Sequence, residues 1–122
     1  MPTVTLVLAS GPQHPQGSPD HRFELDLALD RDGRPDPAAW AADPTPWPAR
    51  RYRPGDPVEV GDVQYDEESG WRIHFQDEDG AGADDAPLAA LIRYDGRWRP
   101  GEILTLTGRS GRDTAWRIVA VN

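Results

Sequence analysis

The sequence has no cysteine and no lysine, and its only asparagine is the last residue. Without cysteine there are no disulfides, no thiolate nucleophiles, no zinc–thiolate sites and no iron–sulfur clusters. Without lysine there is neither a Schiff-base amine nor a phosphate-loop lysine, and all 13 cationic side chains are arginine. Long apolar runs are missing too. The stretch Val4 to Ala9 is too short for a signal-peptide core and far too short to span a membrane. The expected compartment is therefore the cytoplasm, with no membrane partner.

Large aliphatic residues are also scarce. Leu, Ile, Val and Phe number 22 of 122 residues, and 14 Ala dilute the rest of the apolar set. With a net charge of −8 this composition falls on the disordered side. Five Trp pull the other way, because each can bury a large area. The length fits one domain over residues 1–122, with a lean, Trp-weighted core and long loops.

The charge is uneven. Residues 62–85 carry nine acids and one Arg, whereas the rest of the chain is balanced. Residues 93–117 hold six Arg against three acids. An acidic middle and a locally basic C-terminal region set up a dipole. The overall sign argues against nucleic acid as a partner, since phosphate neutralisation needs cations.

Period-2 patterns dominate. Val4, Leu6 and Leu8 give a first strand. Phe23, Leu25, Leu27 and Leu29 alternate with polar residues and give the cleanest one. Residues 31–57, with seven Pro, read as an irregular segment. Within it Asp36 is placed to cap a short helix near 37–42, with Pro37 first, and Trp40 and Trp47 pin the segment to the sheet. Val58 to Tyr65 reads as a strand whose phase slips at Gly61, as at a β-bulge. Trp71, Ile73 and Phe75 alternate in the next. Asp77 to Ala86 is an acidic, Gly-rich loop. Ala90, Ile92 and Tyr94, then Ile103 to Thr107 and Ala115 to Val121, complete the set. The total is about seven short strands, which predicts an all-β small barrel or sandwich.

Residues 51–76 and 97–121 resemble each other. Arg51-Tyr52-Arg53-Pro54-Gly55-Asp56 aligns with Arg97-Trp98-Arg99-Pro100-Gly101-Glu102, and Trp71-Arg72-Ile73 with Trp116-Arg117-Ile118. This predicts an internal hairpin repeat. In each unit the aromatic residue should face inward and the flanking Arg outward.

Chemistry-bearing motifs are thin. His14, His21 and His74 have no compact ligand spacing. The acidic turns around Gly33 and Gly80 do not fit a twelve-residue calcium loop and read as solvated turns. No catalytic residues, metal site or cofactor is expected. The best candidates for binding are Arg51, Tyr52, Arg53, Arg97, Trp98 and Arg99, because Arg forks match carboxylate and phosphate and stack on aromatic rings. Three functions follow in order of expectation. The first is a non-enzymatic module that binds a protein partner or its own copies through sheet edges and Arg-aromatic surface. The second is an assembly or adaptor subunit. The third is a small-ligand binder or enzyme with a barrel-mouth pocket lined by Trp and Arg.

Overall fold

Alternation does what it predicts: the apolar residues of each strand form one wall face, and that face closes on itself. The computed structural model describes residues 1–11, 14–75, 88–108 and 111–122. The strands are β1 (Thr3–Ser10), β2 (Ser18–Asp26), β3 (Trp47–Tyr52), β4 (Glu59–Asp66), β5 (Gly70–Phe75), β6 (Leu88–Arg93), β7 (Ile103–Gly108) and β8 (Asp113–Val121). They form a closed, eight-stranded, antiparallel barrel in sequence order. β8 returns to β1, pairing Val4 with Val121 and Leu6 with Ile118. The all-β expectation holds, and barrel is decided over sandwich.

The extra strand is β3, inside the Pro-rich segment read as irregular. Pro48 hid it, since proline cannot donate to a ladder. The structure places Pro48 opposite Asp62 of β4, one step past Ala49, where the pairing with β2 ends. Leu27 and Leu29, expected as strand, lie just beyond β2; Leu27 is fully buried. The short helix α1 (Pro37–Ala42) forms as expected, with the Asp36 carboxylate accepting from the amides of Ala38 and Ala39.

Gly61 makes no bulge. The β3–β4 and β4–β5 registers run through it without a shift, opposite Ala49 and Phe75. Gly61 instead fills an inward position where the neighbouring strand comes very close. A Cβ there would lie 1.8 Å from the His74 carbonyl oxygen. Val60 therefore points outward and is exposed, and Glu59 points inward.

The strand directions define two barrel ends. At the end holding both termini, Thr3 and Asn122 exchange backbone hydrogen bonds. Residues 27–46 strap this terminal end. Trp98 donates its amide to Gly33 at 2.8 Å, Arg34 Nε donates to the Asp95 carbonyl at 2.8 Å, and Trp40 Nε1 donates to the Val63 carbonyl at 3.1 Å. Trp47 stacks on Trp71 at 5.7 Å, and Tyr65 packs on both Trp71 and Trp40. Four of the five Trp thus gather at this end, as the expected pinning of the segment by Trp40 and Trp47 requires. The fifth, Trp116, is buried towards the other end, here called distal.

The two similar segments each contain a hairpin, β4–β5 and β7–β8. Their leading hexapeptides do not occupy matching places. Arg51 to Asp56 leaves β3 at the distal end, whereas Arg97 to Glu102 lies between β6 and β7 at the terminal end. Trp71 sits beside the turn of its hairpin at the terminal end, and Trp116 near its own at the distal end.

Candidate functional site

The distal end owes its chemistry to the same period of two that builds the core. In β2, Phe23 faces inward, so His21 does as well, one rung higher. In β3, Trp47 and Ala49 fix the phase, so Arg51 is the next inward residue. In β4 the inward row of Val63 and Gly61 ends at Glu59. The ladder brings these together: Arg51 pairs with Phe23 on one side and with Glu59 on the other. Three neighbouring strands therefore bring a His, an Arg and a Glu together at this end, Arg51 and Glu59 on the rung of Phe23 and His21 one rung further out. The expectation for this segment is reversed: Arg51 turns inward and Tyr52 outward, because Trp47 and Ala49 take the core positions.

An aromatic layer lies beneath. Phe23 packs against Trp116 at 4.7 Å and against Phe75 at 6.0 Å, and all three are buried. The His21 ring meets Trp116 edge-on at 5.1 Å. The Trp116 indole N–H donates to Thr114 Oγ1 at 2.7 Å, which fixes the ring. The guanidinium carbon of Arg51 lies 5.3 Å from the Phe23 ring centre.

The two arginines here have unlike partners. Arg53 contacts Glu59 through Nη2 and lies 3.5 Å from an Asp56 carboxylate oxygen. Arg51 makes no ion pair among the described residues. Its Nη2 is 3.5 Å from His21 Nε2, at the long limit of a hydrogen bond, and its buried Nε has no partner among the described residues. Burial, followed by the charge of Arg53, holds the Arg51 guanidinium below its usual pKa. His21 is pushed down to about 4 by burial first, then by Arg51, Arg53 and His14. At neutral pH this ring is uncharged and offers one N–H donor.

The other candidates lie elsewhere. Tyr52 is on the outer wall, with the Arg22 guanidinium 4.4 Å over its ring. It belongs to a polar strip in which Arg50 bridges Glu24 and Asp26. Trp98 is buried at the terminal end. Arg97 is exposed beside it, and Arg99 pairs with Glu102 at 3.0 Å, whose other oxygen accepts from the Tyr94 hydroxyl at 2.9 Å. The six residues therefore divide among the distal rung, the outer wall and the terminal end. His21, Glu59 and Thr114 join the distal site without having been singled out by sequence motifs. Counting by twos from Phe23 and Val63 is the signal that finds His21 and Glu59.

Among the described residues no three His, Cys, Asp or Glu side chains converge as metal ligands. No helix of those residues is long and apolar enough to cross a membrane. The acidic stretch 77–86 lies outside the described residues. No known protein family matches the chain, and neither curated proteins nor solved structures give a match.

Proposed function

We propose that the protein is a small-ligand-binding barrel whose ligand enters at the distal end. One observation carries this reading: the inward polar cluster of His21, Arg51 and Glu59 sits against the aromatic group of Phe23, Phe75 and Trp116, with Arg51 and Glu59 on the rung of Phe23 and His21 one rung further out. An eight-stranded barrel either fills its interior with side chains or holds one small ligand. Here the terminal half is filled with Trp and aliphatic residues. The distal half places charge over aromatic faces, the composition of a ligand site rather than of a core. The reading is one of binding; among the described residues no nucleophile paired with a base faces this end.

Closure of the sheet bears on the protein-docking alternative. β1 and β8 pair with each other, so the ladder offers no edge strand for a partner to extend. Among the described residues the large exposed apolar side chains are Met1, Val58, Val60, Ile103 and Val119, spread over the first residue, three strands and the turn before one of them, which is ordinary for a protein surface.

A titration with the neutral aromatic 2-naphthamide, followed by nitrogen–proton NMR, tests the reading. The expected result is a saturable one-to-one shift of the Trp116 indole signal with the Trp98 signal unmoved. Saturable movement only at Trp98, or none at Trp116 with any small aromatic compound, would overturn it.

A further inference from the structure

We infer that the distal site selects a singly charged carboxylate carried on an aromatic or apolar body, with Arg51 as its anchor. The inference rests on the ligand-binding reading above and narrows it to one chemical class.

The argument begins with the two arginines. Arg53 already has Glu59 and Asp56 around it, so its charge is matched locally. Arg51, two residues earlier on the same inward face, touches an aromatic ring and a neutral imidazole. A guanidinium half out of water, with no carboxylate in contact among the described residues, is an expensive arrangement unless something anionic completes it. Its planar fork matches a carboxylate in two parallel hydrogen bonds.

The surroundings then set the charge and the body of the ligand. Glu59 stands on the adjacent strand, directly across from Arg51, and repels a second negative charge. Arg51 offers one fork beside the carboxylates of Glu59 and Asp56, so a doubly charged phosphate ester is a poorer fit than a carboxylate. His21 is held neutral and supplies an N–H donor without demanding further anionic charge. Beside the anchor the half-buried His21 ring is apolar surface for a flat body, and the buried rings of Trp116 and Phe23 lie beneath it. The other Arg cluster lacks this combination: Arg99 is paired with Glu102, and Trp98 is buried beneath the strap.

Three probes of one shape separate the possibilities: 2-naphthoate, neutral 2-naphthamide and doubly charged 2-naphthyl phosphate. They are titrated into the full chain at neutral pH and low salt, with the Trp116 indole signal as readout. The carboxylate should bind about tenfold or more tighter than the amide, as one charge-assisted fork contact implies. It should also bind tighter than the phosphate. Arg51→Gln should abolish the preference for carboxylate while leaving amide affinity within about twofold, well below the tenfold step of one such contact. Arg51→Lys, which keeps the charge without the fork, should retain part of it; Arg97→Gln should retain all of it. Equal binding of amide and carboxylate would overturn the inference and leave the ligand-binding reading standing. Tighter binding of the phosphate, or a carboxylate preference that survives Arg51→Gln, would also overturn it. No saturable response to any of the three would remove both.

Discussion

Arg51→Met isolates what the charge at the distal rung does to the fold. The substitution keeps an unbranched apolar stem beside Phe23, and removes a guanidinium that has no carboxylate partner among the described residues. A buried donor left without a partner costs about 1–3 kcal/mol. Arg51 is partly buried, so about 1–1.5 kcal/mol is the appropriate share of that range. Against this stands the guanidinium's contact with Phe23, worth about 0.5–1 kcal/mol at a partly exposed site. A thioether over the same ring recovers part of that. The net expectation is a gain of about 0.5–1 kcal/mol. Urea unfolding slopes of about 1–3 kcal/mol per molar convert this into a midpoint about 0.2–1 M higher. A fall in the midpoint would refute the reasoning, because a carboxylate would then already hold the guanidinium. The same variant should lose the preference for carboxylate probes, so stability and binding move in opposite directions.

Other substitutions test the architecture. Gly61→Ala should cost about 3 kcal/mol or more, because the new Cβ has nowhere to go but into the β5 backbone. Gly55→Ala should cost only about 1–2 kcal/mol: its φ of 79° strains any side chain, but the space around it is open. Chemical denaturation that ranks them the other way round would contradict the close approach at Gly61. Trp116→Ala removes the ring joining His21 to Phe23 and should destabilise the barrel by about 3–5 kcal/mol. Acid should weaken the fold before the carboxylates titrate. His21 takes a proton near 6.5 when unfolded but only near 4 when folded, so its contribution is complete above 6.5 and is lost as pH falls from there to 4. The drop corresponds to about 3 kcal/mol at full strength, and exposure of much of the ring leaves about 1–2. His74 is also held low by burial and acts in the same direction. Denaturation at pH 6.5 and pH 4.5 should show the loss, and His21→Gln should shrink it; an unchanged slope in that variant would contradict the environment assigned to His21.

Much of the barrel was legible in the sequence because its inward rows are apolar. Leu6 and Leu8, Phe23 and Leu25, and Ile73 and Phe75 reveal their strands by alternation alone. The α1 helix was legible from Asp36 and Pro37. β3 was not, because Trp47-Pro48-Ala49 has in second place the residue least compatible with a ladder and contains no aliphatic pair. Missing β3 also cost the phase of Arg51 and Tyr52, since only Trp47 and Ala49 define which side is inward. Gly61 misled for a related reason: the inward row Glu59, Gly61, Val63 contains a charge and no side chain before its first apolar member. The polar rung itself interrupts the apolar rows at the one end where their pattern would have shown where they lead. Nothing in the local sequence, furthermore, says that hexapeptides as alike as Arg51–Asp56 and Arg97–Glu102 lie at opposite ends; that follows from the topology.

The most direct test is the titration of the His21 ring by NMR in the free chain and with saturating 2-naphthoate. A carboxylate anchored on Arg51 brings a negative charge beside His21 and should raise its pKa from about 4 by about one pH unit or more. His74, on the outer face, should titrate as before. A His21 pKa that stays near 4 with the probe demonstrably bound would place the ligand elsewhere and contradict the account.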